Sequence, residues 1–568
     1  MTAPGTAPAG IPPTTAAPRP SAAPVLRRVV VYGILFVLVL LTAGGLADLL
    51  GRLFDVVTGA TVVGSDTAGL AVSLSFTLVG GPLAALLGWF AWRRLADRPE
   101  RESLAWALYV VGMCTVALVV ASTALFSALS AAVRGDGATG EAATGLVWAG
   151  VWAGHRFVLR RSIRRPTRLP GTAAVLGGVV GLLLGSGGAV SALTVLFDTA
   201  LAGTTDAPIG VPWWWAALQS LVWAAGGGLV WWWHWGREGG RAVRTGLGAV
   251  ALVGVGILGG CLLTLAGAGT TLFVLLRVAV DRTDPVRVLL DPLGAAIAAA
   301  LVGGLIWGYH RAVAARRSAA VSGAGVLVTS GVSLVAAASG IGVIVNALLA
   351  TLTTALAASD PRTLLLAGLS SLVVGGPLWW FTWRPTTAVL PERRRSIGRS
   401  AYLVVVFGVS AVVALVALLV IGFRLFDSLL AGEAGLLDRL RAPLGLLVAT
   451  ALVAGYHFSV WRGDRAAIAA AAPAPAPTPA ASRGPVTGIG EVVLIMGPGA
   501  EPVLRHLRQL TGATVSWWQR ADGATVLPDP AQVTSALDGV HGERVVLIMG
   551  ADGSLSVIPV AGPHTHAG

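Results

Sequence analysis

Twelve long apolar runs follow one another along this chain, and they constrain its fold more than any other feature. A bilayer core about 30 Å thick is crossed by roughly 20 helical residues. The first run is too long for the core of a signal peptide, and eleven similar runs follow it. We therefore predict an all-α, multi-pass membrane protein with about 12 transmembrane helices. The predicted spans are residues 27–50, 68–92, 103–132, 142–160, 172–200, 212–235, 244–277, 289–312, 322–356, 363–384, 399–428 and 442–462.

The composition agrees with a membrane protein and excludes several soluble classes. Hydrophobic residues make up 55% of the 568 residues, and charged residues only 12%. A soluble domain carries about 25% charged residues. The two cysteines, Cys114 and Cys261, lie in different apolar runs. A disulfide framework and a cysteine-based zinc site are therefore excluded.

The placement of arginine predicts the orientation of the chain. All 40 basic residues are Arg. The N-terminal tail, the loops that follow even-numbered runs and the end of the last run hold 26 of them, and the opposite loops hold 9. The positive-inside rule then predicts a plasma-membrane protein with both termini in the cytoplasm. Topology and contact with anionic lipid explain the net charge of +13, so we expect the bilayer and no nucleic acid as a partner.

Histidines recur at the ends of the even-numbered runs. The fourth, eighth and twelfth runs end in VWAGHRF, IWGYHRA and VAGYHFS, with spacings of 155 and 147 residues between the histidines. The aligned positions in the second, sixth and tenth runs are Ala91, His234 and Thr382. Self-similarity at a fixed period indicates a repeat architecture. We therefore predict three copies of a four-helix unit, at residues 25–168, 169–318 and 319–465.

Two stretches of the third unit carry a family resemblance. They are RSAYLVVVFGVSAVVALVALL at residues 399–419 and GGPLWWFTWR at residues 375–384. With them the chain resembles a bacterial multi-pass membrane family called domain of unknown function 5671, in about three copies over residues 25–463. The first copy has an additional helical turn between Pro82 and Trp92, and the second lacks the proline. The family has no assigned activity, so the resemblance implies a fold and leaves the chemistry open.

Tryptophans and histidines near the run ends are the candidate site residues. Tryptophan has an apolar body and a polar tip, so we interpret Trp213, Trp214, Trp215, Trp231, Trp232, Trp233, Trp379 and Trp380 as interface or packing residues. A histidine at a helix C-terminus also suits the helix dipole. The alternative is that histidines converge on a haem, a metal or a quinone. The candidates for that role are His155, His234, His310 and His457.

Small and polar residues inside the runs indicate helix packing. Gly177, Gly181 and Gly185 recur at four-residue intervals in GGVVGLLLGSGG. Such a stripe lets two helix backbones approach closely, and it suits packing within the chain and a homo-oligomer equally well. Asn346 lies in a long apolar run, in a register that resembles that of Asp198. We interpret Asn346 as a polar contact between helices.

The rest of the chain predicts one small soluble module with unstructured flanks. Residues 1–24 and 563–568 are predicted tails, and residues 466–485 form a predicted Ala/Pro linker. Within residues 486–562, the hexamer VVLIMG occurs twice and predicts two equivalent central strands. Apolar spacing predicts a helix after the first strand, and Asp529 with Pro530 begins a second. We predict a cytoplasmic α/β domain that docks on the basic loops or captures a cytoplasmic protein.

No catalytic motif is present in the sequence. Ser/His/Asp, Cys/His and HExxH patterns are absent, and MGPGAEP lacks the Lys and Ser/Thr of a phosphate-binding loop. We therefore expect neither an enzyme nor a cofactor. The favoured interpretation is a noncatalytic membrane scaffold or sensor with a cytoplasmic interaction module. A transporter or channel and a membrane protein that binds haem, metal or quinone through its histidines remain as alternatives.

Overall fold

A computed structural model divides the chain into two compact units, Met1–Ile468 and Ala469–Gly568. The structure describes residues 22–59, 66–160, 163–202, 212–280, 284–353, 360–387, 397–432, 435–470, 488–521, 527–540, 542–550 and 552–560. The predicted tail before residue 22, the predicted linker after residue 470 and the predicted tail at residues 563–568 lie outside the described residues. The boundary between the units falls inside the predicted linker.

The first unit consists of long helices that coincide with the predicted apolar runs. α1 begins at Ala22 inside the predicted tail, and α12 extends to Ala470 because AAIAA favours a helix. The helices are α1 Ala22–Thr58, α2 Thr67–Arg94, α3 Leu104–Arg134, α4 Thr139–Arg160, α5 Thr172–Ala202, α6 Trp213–Trp231, α7 Gly246–Val280, α8 Leu293–Ala315, α9 Ala319–Ala350, α10 Pro361–Thr387, α11 Ile397–Ala431 and α12 Leu436–Ala470.

Ten of the described helices are long and apolar enough to cross a membrane. The two further spans that the sequence predicted, α4 and α6, are helical but less apolar. α4 begins with TGE and ends with HRFVLR, and α6 holds five tryptophans and a glutamine among its 19 residues. The chain is therefore a multi-pass membrane protein by its ten candidate spans, and the count of twelve crossings stays a prediction.

The helices pack in a regular order along the chain. Each odd-numbered helix from α1 to α9 contacts its hairpin partner, the next odd-numbered helix and the even-numbered helix of the following hairpin. The even-numbered helices also meet near their C-terminal ends, where Trp152 of α4 contacts His234 and Trp231 of α6 contacts Tyr309 of α8. This order brings the candidate histidines into the packed ends of neighbouring hairpins.

Three π-helical segments lie among the described residues, two within a helix and one directly after α6, and they change the side chains that a helix presents to its neighbours. They are Phe76–Gly80 in α2, Trp232–Arg237 after α6 and Ala251–Gly259 in α7. A π-helical turn holds more residues than an α-helical turn. After α6, His234 and Trp235 are consecutive in the sequence and are both buried. The π segment therefore lies at the place where the predicted site residues are packed.

The second unit is a four-stranded sheet with two helices. The strands are β1 Glu491–Met496, β2 Thr514–Gln519, β3 Arg544–Met549 and β4 Leu555–Val560, and the helices are α13 Glu501–Thr511 and α14 Pro530–Leu537. The strand order is β2-β1-β3-β4, and only β4 is antiparallel to its neighbour. β1 pairs with β3 so that Val492 faces Val545 and Leu494 faces Leu547. This confirms two equivalent central strands, whereas β2 was not predicted.

One face of this sheet forms the core of the module. Val492, Leu494 and Met496 of β1 are buried together with residues of β3, α13 and α14. Asp529 accepts a hydrogen bond from the Ala531 amide and caps α14, with Pro530 in the first turn, as the sequence predicted. The alternate residues form the opposite face, which is partly buried to exposed and mainly apolar, with the ion pair of Glu491 and Arg544 at one end. They include Val493, Ile495, Val546, Ile548 and Ile558.

Candidate functional site

The candidate histidines lie in the C-terminal half of an even-numbered helix or directly after it, and each makes the same kind of hydrogen bond to the preceding helical turn. In each, ring Nδ1 lies between 2.7 and 2.9 Å from the carbonyl oxygen four residues earlier. A carbonyl oxygen only accepts hydrogen bonds, so Nδ1 donates, and Nε2 is the acceptor of the neutral ring. The pairs are His155 with Val151, His234 with Val230, His310 with Ile306 and His457 with Val453.

In the first, third and fifth hairpins, the position aligned with these histidines is buried whichever residue occupies it. Ala91 is 4% exposed, His234 4% and Thr382 8%. The Thr382 hydroxyl donates to the carbonyl oxygen of Leu378, four residues earlier, at 2.7 Å, which repeats the bond of the histidines. A polar side chain here satisfies its donor within its own helix. Alanine also occurs at this position, so the aligned residue is not a possible ligand in every hairpin.

The Nε2 atoms of two histidines have different surroundings. The Tyr109 hydroxyl lies 3.0 Å from Nε2 of His155 and donates to it, because the proton of the ring is on Nδ1. Nε2 of His457 is buried without a hydrogen-bond partner among the described residues. Four aromatic rings surround His457, with centroids between 5.1 and 6.5 Å from that of the imidazole. These rings belong to Trp379, Trp383, Tyr402 and Tyr456.

Glycines of the odd-numbered helices make room for the other two histidines. A Cβ on Gly177 of α5 would lie 2.4 Å from Cδ2 of His234, and a Cβ on Gly256 of α7 would lie 2.3 Å from Cδ2 of His310. A Cβ on Gly181 would lie 2.2 Å from the backbone nitrogen of Trp231, and one on Gly185 would lie 2.8 Å from that of Gly228. The predicted glycine stripe therefore packs α5 against α6 within one chain.

A largely buried ion pair lies beside His234, and no sequence pattern predicted it. Arg156 on α4 and Glu238 after the π segment of α6 have side chains that are 17% and 8% exposed. The Arg156 guanidinium contacts Oε1 of Glu238, which also accepts a hydrogen bond from Trp233 Nε1 at 2.8 Å. The ion pair joins the second and third hairpins. The sequence did offer a signal, because Arg156 directly follows His155 and Glu238 lies four residues after His234.

The predicted tryptophans divide according to the helix face on which they lie. Trp213, Trp214, Trp232, Trp233 and Trp380 are between 36% and 49% exposed, as interface anchors would be. Trp215, Trp231 and Trp379 are half-buried. The most deeply buried tryptophans of these blocks are Trp235 and Trp383, at 3% and 1% exposed, and the sequence analysis did not single them out. Each is the last residue of an aligned stretch, WWWHW or WWFTW, and this shared position was the signal in the sequence.

Asn346 lies at a helix contact that resembles that of Asp198. A Cβ on Gly445 of α12 would lie 3.3 Å from the backbone nitrogen of Asn346, and one on Gly294 of α8 would lie 1.9 Å from Oδ1 of Asp198. Both residues therefore face a glycine of the even-numbered helix in the following hairpin. The side-chain Oδ1 of Asn346 is buried and has no hydrogen-bond partner within the described chain.

The chemistry available at this site is that of packing and hydrogen bonding. Across the described ranges, no three His, Cys, Asp or Glu side chains form a group that could hold a metal ion. The candidate histidines contact different sets of rings, and each Nδ1 proton is used within its own helix. The arrangement fixes the even-numbered helices against their neighbours. Among the described residues, buried Nε2 of His457 and the indole Nε1 atoms of Trp231, Trp235 and Trp379 have no hydrogen-bond partner.

Comparison with known proteins identifies part of the membrane unit. The family model described as Domain of unknown function (DUF5671) matches residues 28–164 and 324–452. These segments fall in the first and third predicted four-helix units, and the second predicted unit, residues 169–318, is not matched. No curated protein and no solved structure matches the chain. Two segments of the predicted family are thus found, and the third copy stays a prediction.

Proposed function

We propose that this chain, whose residues 28–164 and 324–452 belong to the DUF5671 family, is a noncatalytic membrane scaffold or sensor. The membrane unit anchors the chain, and the C-terminal module binds a cytoplasmic protein through an extended segment that adds to strand β2. The observation that carries this proposal is the unprotected edge of β2. Family membership supplies no activity, so the proposal depends on the geometry of the module.

The two edges of the sheet differ in their protection. Soluble proteins protect edge strands with proline or charged residues, because an open edge pairs with other strands. β4 contains Pro559, which lacks a backbone N–H donor. β2, with the sequence TVSWWQ, contains neither proline nor a charged residue. β2 is therefore the edge that favours addition of a strand from a partner.

Exposed tryptophans lie on the same strand. Trp517 is 39% exposed and Trp518 65%. The pairing register places Trp518 beside Ile495 and, across β1, in line with Ile548. These residues belong to the partly buried apolar face of the sheet. Every second side chain of an added strand points to that face, so a segment with alternating apolar residues would cover Trp518.

The charge of the module indicates the charge of its partner. From residue 486 onward the sequence has 4 Arg against 7 Asp and Glu. Complementary charge speeds association and selects partners. The expected partner segment is therefore extended, basic and apolar at alternate positions. A segment of this kind would add backbone hydrogen bonds on β2 and aromatic contacts on Trp518.

The membrane unit favours anchoring over transport. A proton-coupled carrier needs ionisable groups within the bilayer. α9 holds no Asp, Glu, Lys or Arg among its 32 residues. Near the ends of α11 and α12, Arg399 Nε donates to Oδ2 of Asp464 at 2.7 Å. We rank a transporter or channel below a scaffold for this reason, and a histidine-bound cofactor lower still because packing accounts for the histidines.

We also propose the plasma membrane as the location, with twelve crossings and both termini in the cytoplasm. The distribution of arginine supports this orientation. Alkaline phosphatase is active only outside the cytoplasm. Joining it to the chain after Arg134 in one fusion and after Arg160 in another therefore tests whether α4 crosses the membrane. We expect activity from the first fusion and none from the second or from a fusion after residue 470. Activity at residue 470 would contradict the proposed orientation.

Peptide selection on the full chain tests the proposed binding function. The protein in lipid nanodiscs is panned against a displayed library of random peptides. We expect enrichment of basic peptides with alternating apolar residues, and at least tenfold weaker binding of them to Trp518→Ser. Leu527→Ser is the control, since Leu527 is also exposed, at 54%, but lies outside the strands. Selected peptides that bind Trp518→Ser as well as the unchanged protein would contradict the proposal.

A further inference from the structure

A cleft of about 340 Å³ lies between α1 and α2, apart from the histidines. Its apolar wall includes Leu41, Val72 and Phe76, which are 37%, 49% and 37% exposed. Asp48 and Arg52 lie further along α1, and Asp66 directly precedes α2. The cleft therefore joins an aliphatic and aromatic surface to a charged end.

The charges at this end do not cancel. Arg52 Nε donates to Oδ2 of Asp48 at 2.7 Å, and its NH2 donates to Oδ2 of Asp66 at 3.1 Å. The amide of Gly69 and the guanidinium of Arg52 hold the pKa of Asp66 below its usual range. Asp66 therefore stays ionised at neutral pH. Two carboxylates share one guanidinium, so this group of three carries a formal excess of one negative charge. The Ser73 hydroxyl also donates to Oδ2 of Asp48, and the Gly69 amide donates to Oδ1 of Asp66.

The shape of the cleft follows from two consecutive glycines on α1. A Cβ on Gly45 would lie 2.8 Å from Cβ of Phe76, so the two helices touch there. A Cβ on Gly44 would have nothing within 4 Å, so the cleft is open beside it. The π segment of α2 begins at Phe76, and such segments occur frequently at functional sites. The space is thus accessible without movement of either helix.

We propose that this cleft binds an amphiphile that carries an ammonium group on an aliphatic chain. The ammonium group donates to Asp48 and Asp66 and compensates their excess charge, because it has three donors and no acceptor. The chain lies against Leu41, Val72 and Phe76. A bare cation would make no contact with this apolar wall, and an uncharged chain would make no ion pair with the carboxylates. The headgroup of an ethanolamine phospholipid and a free alkylamine share this chemistry.

A second cleft supplies a matched control. It has a volume of about 280 Å³, lies between α7 and α8, and is lined by Ala268, Thr271, Leu272, Leu275, Ile297, Ala300 and Leu301. None of these lining residues is charged, and the Thr271 hydroxyl donates to the carbonyl oxygen of Gly267. This cleft resembles the first in size but offers no partner for an ammonium group. It should bind aliphatic chains without regard to their headgroup.

Native mass spectrometry of the delipidated full chain in maltoside detergent tests the proposal. The probes are dodecylamine against dodecanol, and a phosphatidylethanolamine against a phosphatidylglycerol with the same acyl chains. We expect the chain to form a 1:1 adduct with an ammonium compound. Its affinity for that compound should be at least tenfold higher than for the matched compound that lacks the ammonium group. An adduct with the ethanolamine lipid alone assigns the site to a lipid headgroup, and one with dodecylamine alone assigns it to a free amphiphile.

Three variants locate the binding. Asp48→Asn with Asp66→Asn should weaken the ammonium adduct at least tenfold, and Gly44→Phe should remove it by filling the cleft. Ala268→Phe fills the control cleft and should leave the adduct unchanged. Thermal unfolding followed by tryptophan fluorescence establishes that each variant is folded. The absence of a preference for the ammonium compound in both matched pairs, or an undiminished adduct in the Asp48→Asn, Asp66→Asn protein, would overturn the proposal.

Discussion

His234 and Thr382 occupy equivalent places at the ends of α6 and α10, and each donates a hydrogen bond to the backbone carbonyl oxygen four residues earlier. The bonds measure 2.9 and 2.7 Å. An imidazole and a hydroxyl differ in acidity and in affinity for metals, but both can satisfy a donor in this way. The equivalence therefore favours a packing role for the aligned position.

A change of His234 to threonine tests this role. We expect His234→Thr to fold and to lose about 1 kcal/mol, because it keeps the bond to Val230 and loses the ring. We expect a larger loss of stability for His234→Asp. The close packing against Gly177 leaves no space for water beside the buried carboxylate. Unfolding can be followed with a thiol-reactive dye, because Cys114 and Cys261 are both buried. A loss of bound metal or of a visible absorption band in His234→Thr would contradict the packing role.

Two glycines of α5 form a matched pair for testing the helix contact. A Cβ on Gly177 would lie 2.4 Å from the His234 ring, whereas a Cβ on Gly187 would have nothing within 4 Å. We expect Gly177→Ala to cost about 1–3 kcal/mol through overpacking. Gly187→Ala should change stability by less than about 0.5 kcal/mol. Equal unfolding midpoints for the two variants would show that α5 and α6 are not packed as described.

The Arg156–Glu238 pair predicts a strong dependence of stability on one carboxylate. Glu238→Ala leaves a buried guanidinium without its partner and should cost about 3–5 kcal/mol. The double variant Arg156→Leu, Glu238→Leu should regain much of that loss, because it removes both charges. Glu102→Ala is the control, since the Arg98–Glu102 pair is exposed on both sides. If Glu238→Ala unfolds at the same denaturant concentration as Glu102→Ala, the ion pair is not buried.

Asp552 predicts a pH-dependent contribution to the stability of the module. The Ser554 hydroxyl, at 2.6 Å, and then the Ser554 amide, at 3.1 Å, donate to the carboxylate and hold the pKa of Asp552 below its usual value of 3.8. The stabilisation is present above pH 3.8 and is lost as the pH falls through the lower pKa of the folded state. A carboxyl NMR titration checks this, and Ser554→Ala should raise the pKa towards 3.8.

The apolar runs and the hexamer repeat predicted most of the fold because they depend on local periodicity. The identical stretches of β1 and β3 do pair in register, and Asp529 does cap its helix. Strand β2 was missed because TVSWWQ is an edge strand whose two tryptophans obscure the alternation of buried and exposed residues. α4 and α6 were predicted as spans because their tryptophans resemble apolar residues in a pattern, although hydropathy ranks them lower.

His155 and His310 lie five residues before the ends of α4 and α8, whereas α12 continues 13 residues beyond His457 because the helix extends into the predicted linker. The surroundings of the histidines depend on contacts between hairpins. A histidine beside Gly177 and one beneath the Tyr109 hydroxyl look alike in the sequence. Trp235 and Trp383 were overlooked because a run of tryptophans conceals which member faces inward. The Arg156–Glu238 pair joins residues 82 positions apart, and no local pattern predicts such a pairing.

The stacking of hairpins along the membrane unit has a mechanical consequence. The contacts described run from each hairpin to the next, so the unit resembles a linear stack whose stability is the sum of nearest-neighbour terms. A force applied at the C-terminal end of α12 acts first on the ion pair between Asp464 and Arg399 of α11, and then on the contact between Gly445 and Gly342 of α9. The chain would then leave the bilayer hairpin by hairpin, in a series of separate force peaks, and an extraction machine could pause with the remaining helices still inserted.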